Sequence, residues 1–185
     1  MKNRRKTGVL LVAMIAASFT FAAFAQSASA GTPIRTLLSG KCLEAAPNPN
    51  TGVYTTNGAV YAENCRTVGQ GPQLWLRFDA GTAPVAGRQG TWNVYKFKND
   101  GNSGCLSNGA QRAVGARIST FECTGTSTAS QLWTISRSGP LGSQELVNAA
   151  SGMCLDVNGG FLGAGVRMIQ YPCAETPFAG QLFFF

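Results

Sequence analysis

Apolar and polar residues fall in short blocks along this chain, with one exception at the amino terminus. Gly8 to Ala25 carries no charge at all, and no later apolar run reaches that length. Beyond residue 30, runs such as Gly90-Thr91-Trp92-Asn93-Val94-Tyr95-Lys96-Phe97 and Ala116-Arg117-Ile118-Ser119-Thr120-Phe121 gather β-branched and aromatic residues. Such residues suit a pleated, half-buried surface. Clusters of Gly, Asn, Ser and Pro separate the runs, among them Pro47-Asn48-Pro49-Asn50, Asn99-Asp100-Gly101-Asn102 and Asn158-Gly159-Gly160. Only Asp79 to Gln89 could pass for helix, and its Gly81, Pro84 and Gly87 predict an irregular loop instead. Many short strands with regular turns predict an all-β sandwich or barrel.

A phrase recurs through these blocks. Ser39-Gly40-Lys41-Cys42-Leu43, Ser103-Gly104-Cys105-Leu106 and Ser151-Gly152-Met153-Cys154-Leu155 each open a unit. A second cysteine follows in each (Cys65, Cys123, Cys173), and Gln73-Leu74-Trp75, Gln131-Leu132-Trp133 or Gln181-Leu182-Phe183 closes it. The closing phrases lie 58 and 50 residues apart. Three ordered markers in three units are an internal repeat, and three equal units favour a threefold barrel over a Greek-key sandwich.

The amino terminus reads as an address. Basic Lys2-Asn3-Arg4-Arg5-Lys6, the uncharged run and the small triplet Ala28-Ser29-Ala30 predict a signal peptide over 1–30, with the mature chain starting at Gly31. A membrane anchor is the competing reading, since the run is nearly long enough to span. Ser18, Thr20 and the cleavage triplet stand against it. Arg4-Arg5 also suits a twin-arginine route, although a basic leader contains such a pair by chance.

Cleavage changes the charge. The whole chain has 15 Lys plus Arg, 8 Asp plus Glu and a net charge of +7. Without Lys2, Arg4, Arg5 and Lys6, eleven basic residues face eight acidic ones, a net +3 scattered without clusters. That balance predicts neither a nucleic-acid partner nor, after cleavage, a membrane span.

All six cysteines lie in the exported part, where an even count predicts three disulfides and allows fifteen connectivities. The repeats select Cys42–Cys65, Cys105–Cys123 and Cys154–Cys173, with separations of 23, 18 and 19. With no CxxC pair and no histidine in the chain, a metal site is not expected.

Three units of Cys-Leu, a second Cys and a closing Gln-x-Trp resemble the ricin B-chain type of β-trefoil lectin. The resemblance runs from Ile34 to Phe185. It implies one domain over residues 31–185, with repeats near 34–90, 91–140 and 141–185. It also implies that Trp75, Trp133 and Phe183 are hydrophobic anchors of a shared core, not sugar platforms.

In that family a sugar site draws on four places: the acidic residue after Cys-Leu, alternate residues on the strand before the second cysteine, and the Asn-Gln that opens the closing phrase. A carboxylate bonds ring hydroxyls, and an aromatic covers the apolar face of the ring. The third unit then offers Asp156, Ile169, Tyr171 and Gln181, with Gly180 where the family has Asn. Asp156 is expected to be a solvated carboxylate of little weight in stability, and an Asn at position 180 to add about 1 kcal/mol to binding. Ile169 and Tyr171, two apart on a strand, share a face. The first unit offers Glu44, Tyr61 and Glu63, with Pro72 before Gln73, and the second offers Ser107, Ser119 and Phe121, with Ser130 before Gln131. Both look degenerate: Glu63 replaces the aromatic in one, and the carboxylate is missing from the other. A structural reading competes at the third unit, where Asp156 could cap a turn and Gln181 could be scaffold, as Gln73 and Gln131 are retained.

Three function classes follow. A secreted carbohydrate-binding domain, its partner a glycan or polysaccharide, is expected first. The alternative is a protein-binding trefoil (an inhibitor, or a delivery subunit of a toxin-like assembly), which suits the degenerate sites and the longer first-unit insertions. An enzyme is the weakest reading. The lack of histidine removes Ser-His and Cys-His pairs, and Asp156 with Glu175 is the one carboxylate pair near the candidate site that a glycosidase could use. No cofactor motif is present.

Overall fold

Each repeat contributes four strands. The computed structural model describes residues 31–47, 51–53, 55–67, 71–124, 128–176 and 178–185. The segment read as a signal peptide and the Asn48-Pro49-Asn50 part of one turn cluster lie outside these residues. The first repeat holds β1 (Thr32–Pro33) and β2 (Arg35–Thr36), which together act as one strand, then β3 (Cys42–Ala45), β4 (Val60–Glu63) and β5 (Leu74–Pro84). The second holds β6 (Thr91–Asn99), β7 (Gly104–Ser107), β8 (Ser119–Glu122) and β9 (Trp133–Ser138). The third holds β10 (Gln144–Asn148), β11 (Cys154–Val157), β12 (Val166–Tyr171) and β13 (Phe183–Phe184). No α-helix occurs among the described residues.

The outer strands of every repeat build a barrel. β1 pairs with β5, β5 with β6, β6 with β9, β9 with β10, β10 with β13, and β13 with β2, which closes the ring. Closure leaves the barrel no open edge. The inner strands form three hairpins, β3–β4, β7–β8 and β11–β12. These hairpins meet one another through Tyr61↔Arg167, Ala59↔Ser119 and Arg117↔Ile169. A closed barrel capped by three linked hairpins about a pseudo-threefold axis is a β-trefoil.

The recurring phrases have recurring physical jobs. Gly40, Ser103 and Gly152 each stand two residues before an opening cysteine and each has positive φ. Their N–H groups donate to Thr36, Asn99 and Asn148 carbonyls, closing the same turn three times. The second phrase is one residue shorter, so Ser103 takes the left-handed place that glycine fills elsewhere. The disulfides Cys42–Cys65, Cys105–Cys123 and Cys154–Cys173 then close one hairpin in each repeat. Loops of that length contribute about 3 kcal/mol each in the chain-entropy model.

Trp75, Trp133 and Phe183 lie fully buried in one core with Ile34, Leu43, Phe97, Leu106 and Leu155. The indole N–H of Trp75 donates to the Leu43 carbonyl at 3.0 Å, and that of Trp133 to Leu106 at 2.9 Å. Each bond ties the closing phrase of a repeat to its own Cys-Leu. Buried Asn99 and Asn148 tie repeats together. Asn99 Nδ2 donates to the carbonyls of Pro72 and Leu74, and Asn148 Nδ2 to those of Ser130 and Leu132.

One expectation fails in part. Asp79 to Pro84 is not irregular: β5 continues to Pro84 and pairs with β6 through Thr82↔Asn93, Ala83↔Trp92 and Pro84↔Thr91. The breakers are absorbed by a register shift between Asp79 and Thr82, where Gly81 has φ +80° and Asp79 Oδ1 accepts its N–H. Pro84 stands at the strand's end, where a missing donor costs nothing. Nor is this insertion free for partners along its whole length. Val85 is buried in a second apolar cluster with Val94, Leu132 and Val147, and Ala86 N–H donates to the Ala149 carbonyl at 2.9 Å.

Candidate functional site

Antiparallel pairing of β11 with β12 sets Asp156 opposite Ile169 and Cys154 opposite Tyr171. Alternation puts Asp156, Ile169 and Tyr171 on one face. A single-turn 3-10 helix, Ala179–Gln181, carries Gln181 to the same place. All four side chains line one cavity of about 620 Å³, together with Asn158, Gly159, Gly160, Ala174 and Phe178. Asp156 is the only charged residue among the described residues that line it.

Gln181 organises the floor. Its Nε2 donates to Asp156 Oδ2 at 2.7 Å and to the Pro172 carbonyl at 3.0 Å, while its Oε1 accepts the Ala174 N–H at 2.9 Å. These bonds give it the scaffold role considered for it, with the carboxylate among the groups it holds.

Asp156 is not the solvated group expected from its place after Cys-Leu. It is 5 % exposed. Burial pushes its carboxyl up to about 6, against the opposing effect of the Gln181 hydrogen bond. A buried carboxylate with one amide partner and an open cavity before it has acceptor capacity to spare. Tyr171 is 48 % exposed, and its ring is free to take an apolar face.

The other repeats hold the same frame with different chemistry. In the first, Gln73 Nε2 donates to Glu44 Oε2 at 2.8 Å and to the Asn64 carbonyl at 2.9 Å. There, however, Arg66 meets Glu44 Oε1 at 2.6 Å in a salt bridge. The carboxylate is already neutralised. Tyr61 is engaged as well, its hydroxyl accepting from Arg167 at 2.6 Å beneath the guanidinium. In the second, Ser107, Phe121, Gln131 and neighbours line a cavity of about 440 Å³, and Gln131 Nε2 donates to the Glu122 carbonyl at 2.7 Å, with no carboxylate partner among the described residues. Ser119, opposite Ser107 on the hairpin, brings no charge to replace the missing carboxylate.

Sequence reasoning missed Phe178, Arg66 and the consequence of Gly180. A Cβ at Gly180 would meet Phe178 Cε1 at 2.6 Å and Cδ1 at 3.2 Å. The Phe178 ring thus occupies the ground that an Asn side chain would need. A side chain at position 180 therefore requires Phe178 to move; if the cavity holds a sugar, Gly180→Asn is expected to displace that ring and to lower affinity instead of raising it, which calorimetry on the variant would register as a higher Kd. Phe178 could have been suspected only as an unpaired aromatic three residues before Gln181.

The ricin-type β-trefoil lectin domain-like model matches residues 77–171, just over half of the chain. The chain belongs to this family. No curated protein sequence matches it. This ricin-type trefoil is similar in structure to ThreeFoil, a designed threefold-symmetric protein, at 21 % identity and TM-score 0.63, covering 82 % of this chain and 94 % of ThreeFoil. It is similar to the C-terminal half of an earthworm R-type lectin, solved in complex with GalNAc, at 15 % identity and TM-score 0.55, over 82 % and 94 %. It also resembles part of an exo-β-1,3-galactanase from Clostridium thermocellum, at 16 % identity and TM-score 0.62, over 84 % of this chain but 29 % of the enzyme. These likenesses establish the fold. Among the described residues of the trefoil, no helix is long and apolar enough to cross a membrane, and no group of three or more His, Cys, Asp or Glu could hold a metal.

Proposed function

We propose that this trefoil is a secreted carbohydrate-binding domain with one sugar site, in the third repeat. The observation that carries the reading is the convergence of Asp156, Ile169, Tyr171 and Gln181 on one cavity. Asp156 accepts hydrogen bonds from adjacent ring hydroxyls, and charge-assisted bonds of this kind are the stronger ones. Gln181 holds the carboxylate in place. Tyr171, and Phe178 beside it, cover the C–H face of the ring, while Ile169 forms an apolar wall. The first and second repeats act as scaffold, since Arg66 occupies Glu44 in one, and in the other Ser107 stands where the third repeat has Asp156, so that Gln131 has no carboxylate to hold and the only acid among the described residues at the cavity, Glu122, comes from the exposed end of β8.

The site binds and does not cleave. Hydrolysis needs two carboxylates flanking one bond, and Glu175, the partner considered for Asp156, is not among the residues lining the cavity. Secretion is part of the proposal, and rests on the leader pattern over 1–30 and on three disulfides that persist in an oxidising compartment.

The test is a glycan array on oxidised residues 31–185, with galactose, GalNAc and β-1,3-galactan fragments as first probes because a lectin and a galactanase share the fold. Binding to at least one neutral glycan is expected. A blank array would overturn the reading and promote a protein partner in its place.

A further inference from the structure

The apolar surface around the third-repeat cavity is larger than one sugar ring requires. Phe178 is 45 % exposed inside the cavity, and just outside it Phe161 is 65 % exposed, followed by exposed Leu162. Between the two rings runs a bare backbone floor. Gly159 and Gly160 both line the cavity and both have φ of 65°. A Cβ on Gly159 would meet Phe161 Cε2 at 2.7 Å, and one on Gly160 would lie 3.6 Å from Phe178 Cζ. The two glycines therefore form a side-chain-free saddle with an aromatic ring at each end. Single exposed apolar residues need no explanation. A run of them leading out of one cavity does.

Charge narrows the ligand further. Among the described residues no Lys or Arg lines the cavity, and the one charged residue that does is acidic. A sulfated sugar or a uronic acid would set its anion near Asp156 with no cation among the described lining residues to compensate.

Resting on the sugar-site reading above, we infer that the ligand is a neutral glycan chain of at least two rings. One ring sits in the Asp156 cavity, and the next crosses the Gly159-Gly160 saddle onto Phe161. The hydroxyls of the first ring are bonded. The second ring is held by its apolar face alone, so it adds affinity with little choice of sugar.

Calorimetry with wild type and Phe161→Ala decides the matter. The ligands are the monosaccharide identified by the array and its di- and tetrasaccharide, starting with galactose, β-1,3-galactobiose and β-1,3-galactotetraose. For wild type, the disaccharide is expected to bind about tenfold tighter than the monosaccharide, the scale of one base or ring stacked on an aromatic. Phe161→Ala is expected to erase that gain while leaving monosaccharide affinity unchanged. Since Phe161 is exposed, the variant retains its fold, which an unchanged melting temperature verifies. Equal affinity for one ring and two, an unaffected disaccharide in the variant, or tighter binding of a sulfated disaccharide would each overturn the inference while leaving the single-ring site standing. Failure of wild type to bind even the monosaccharide would instead remove the site itself.

Discussion

Replacing Asp156 with Ala or Asn is expected to lower sugar affinity on the order of 100-fold, taking a weak single site below detection. Two hydrogen bonds to a charged acceptor, at about 1.5 kcal/mol each, give that figure. Ser107→Ala, at the matching place in the second repeat, should leave affinity unchanged. The pH dependence supplies an independent check. Because burial holds the Asp156 carboxyl near 6, the charged acceptor is lost just below neutrality, and affinity should fall about tenfold per pH unit below about 6. Stability runs the other way. A folded-state value raised above the unfolded one means that this group's contribution is fully present below the ordinary carboxylate range and lost as pH rises through about 6. Asp156→Asn should thus gain melting temperature relative to wild type at pH 8 compared with pH 4. Gln181 Nε2 retains the Pro172 carbonyl and can still donate to the new amide oxygen. Binding that survives both substitutions, or an affinity flat from pH 4 to 8, would move the site elsewhere.

The repeat was legible because its markers are covalent or nearly so. Each cysteine pair joins two residues of one unit, and Trp75 and Trp133 bond the Cys-Leu of their own units, so the same residue types recur in the same order. What escaped depends on contacts that no recurring phrase marks, or on space instead of residue type. Gly81 and Pro84 look like loop residues, yet a bulge re-pairs the strand beyond them, and Val85 at the hairpin end is buried against the third repeat. Arg66 carries no local sign that it will reach Glu44, 22 residues earlier. Asp156 looked like a surface carboxylate because nothing beside it in the chain shows that Gln181 will bond it or that Ile169 will stand opposite. Gly180 looked like a missing amide, whereas its lack of a side chain is what admits the ring of Phe178.

The largest loss of stability is expected at the closing aromatics. Trp133→Ala removes a side chain with no exposed surface from the centre of the core and leaves a cavity that a closed barrel cannot readily collapse around. The cost for such truncations is about 3–5 kcal/mol. For a domain of this size each kilocalorie shifts the melting temperature by about 2–4 °C, so a fall of roughly 10 °C or more should appear in a thermal scan. Trp133→Phe separates packing from hydrogen bonding. It keeps an aromatic ring in the core but removes the donor to the Leu106 carbonyl, and should cost about 1–2 kcal/mol, part of it for lost volume. The third repeat shows that the fold accepts this arrangement, because Phe183 is fully buried at the matching position with no N–H to offer. The converse substitution, Phe183→Trp, restores the residue type of the other two repeats but overfills the core that Phe183 shares with Phe97 and Ile34. If Trp133→Ala proved nearly neutral, the indole would have to be a surface platform, and the core assignment would fall with it.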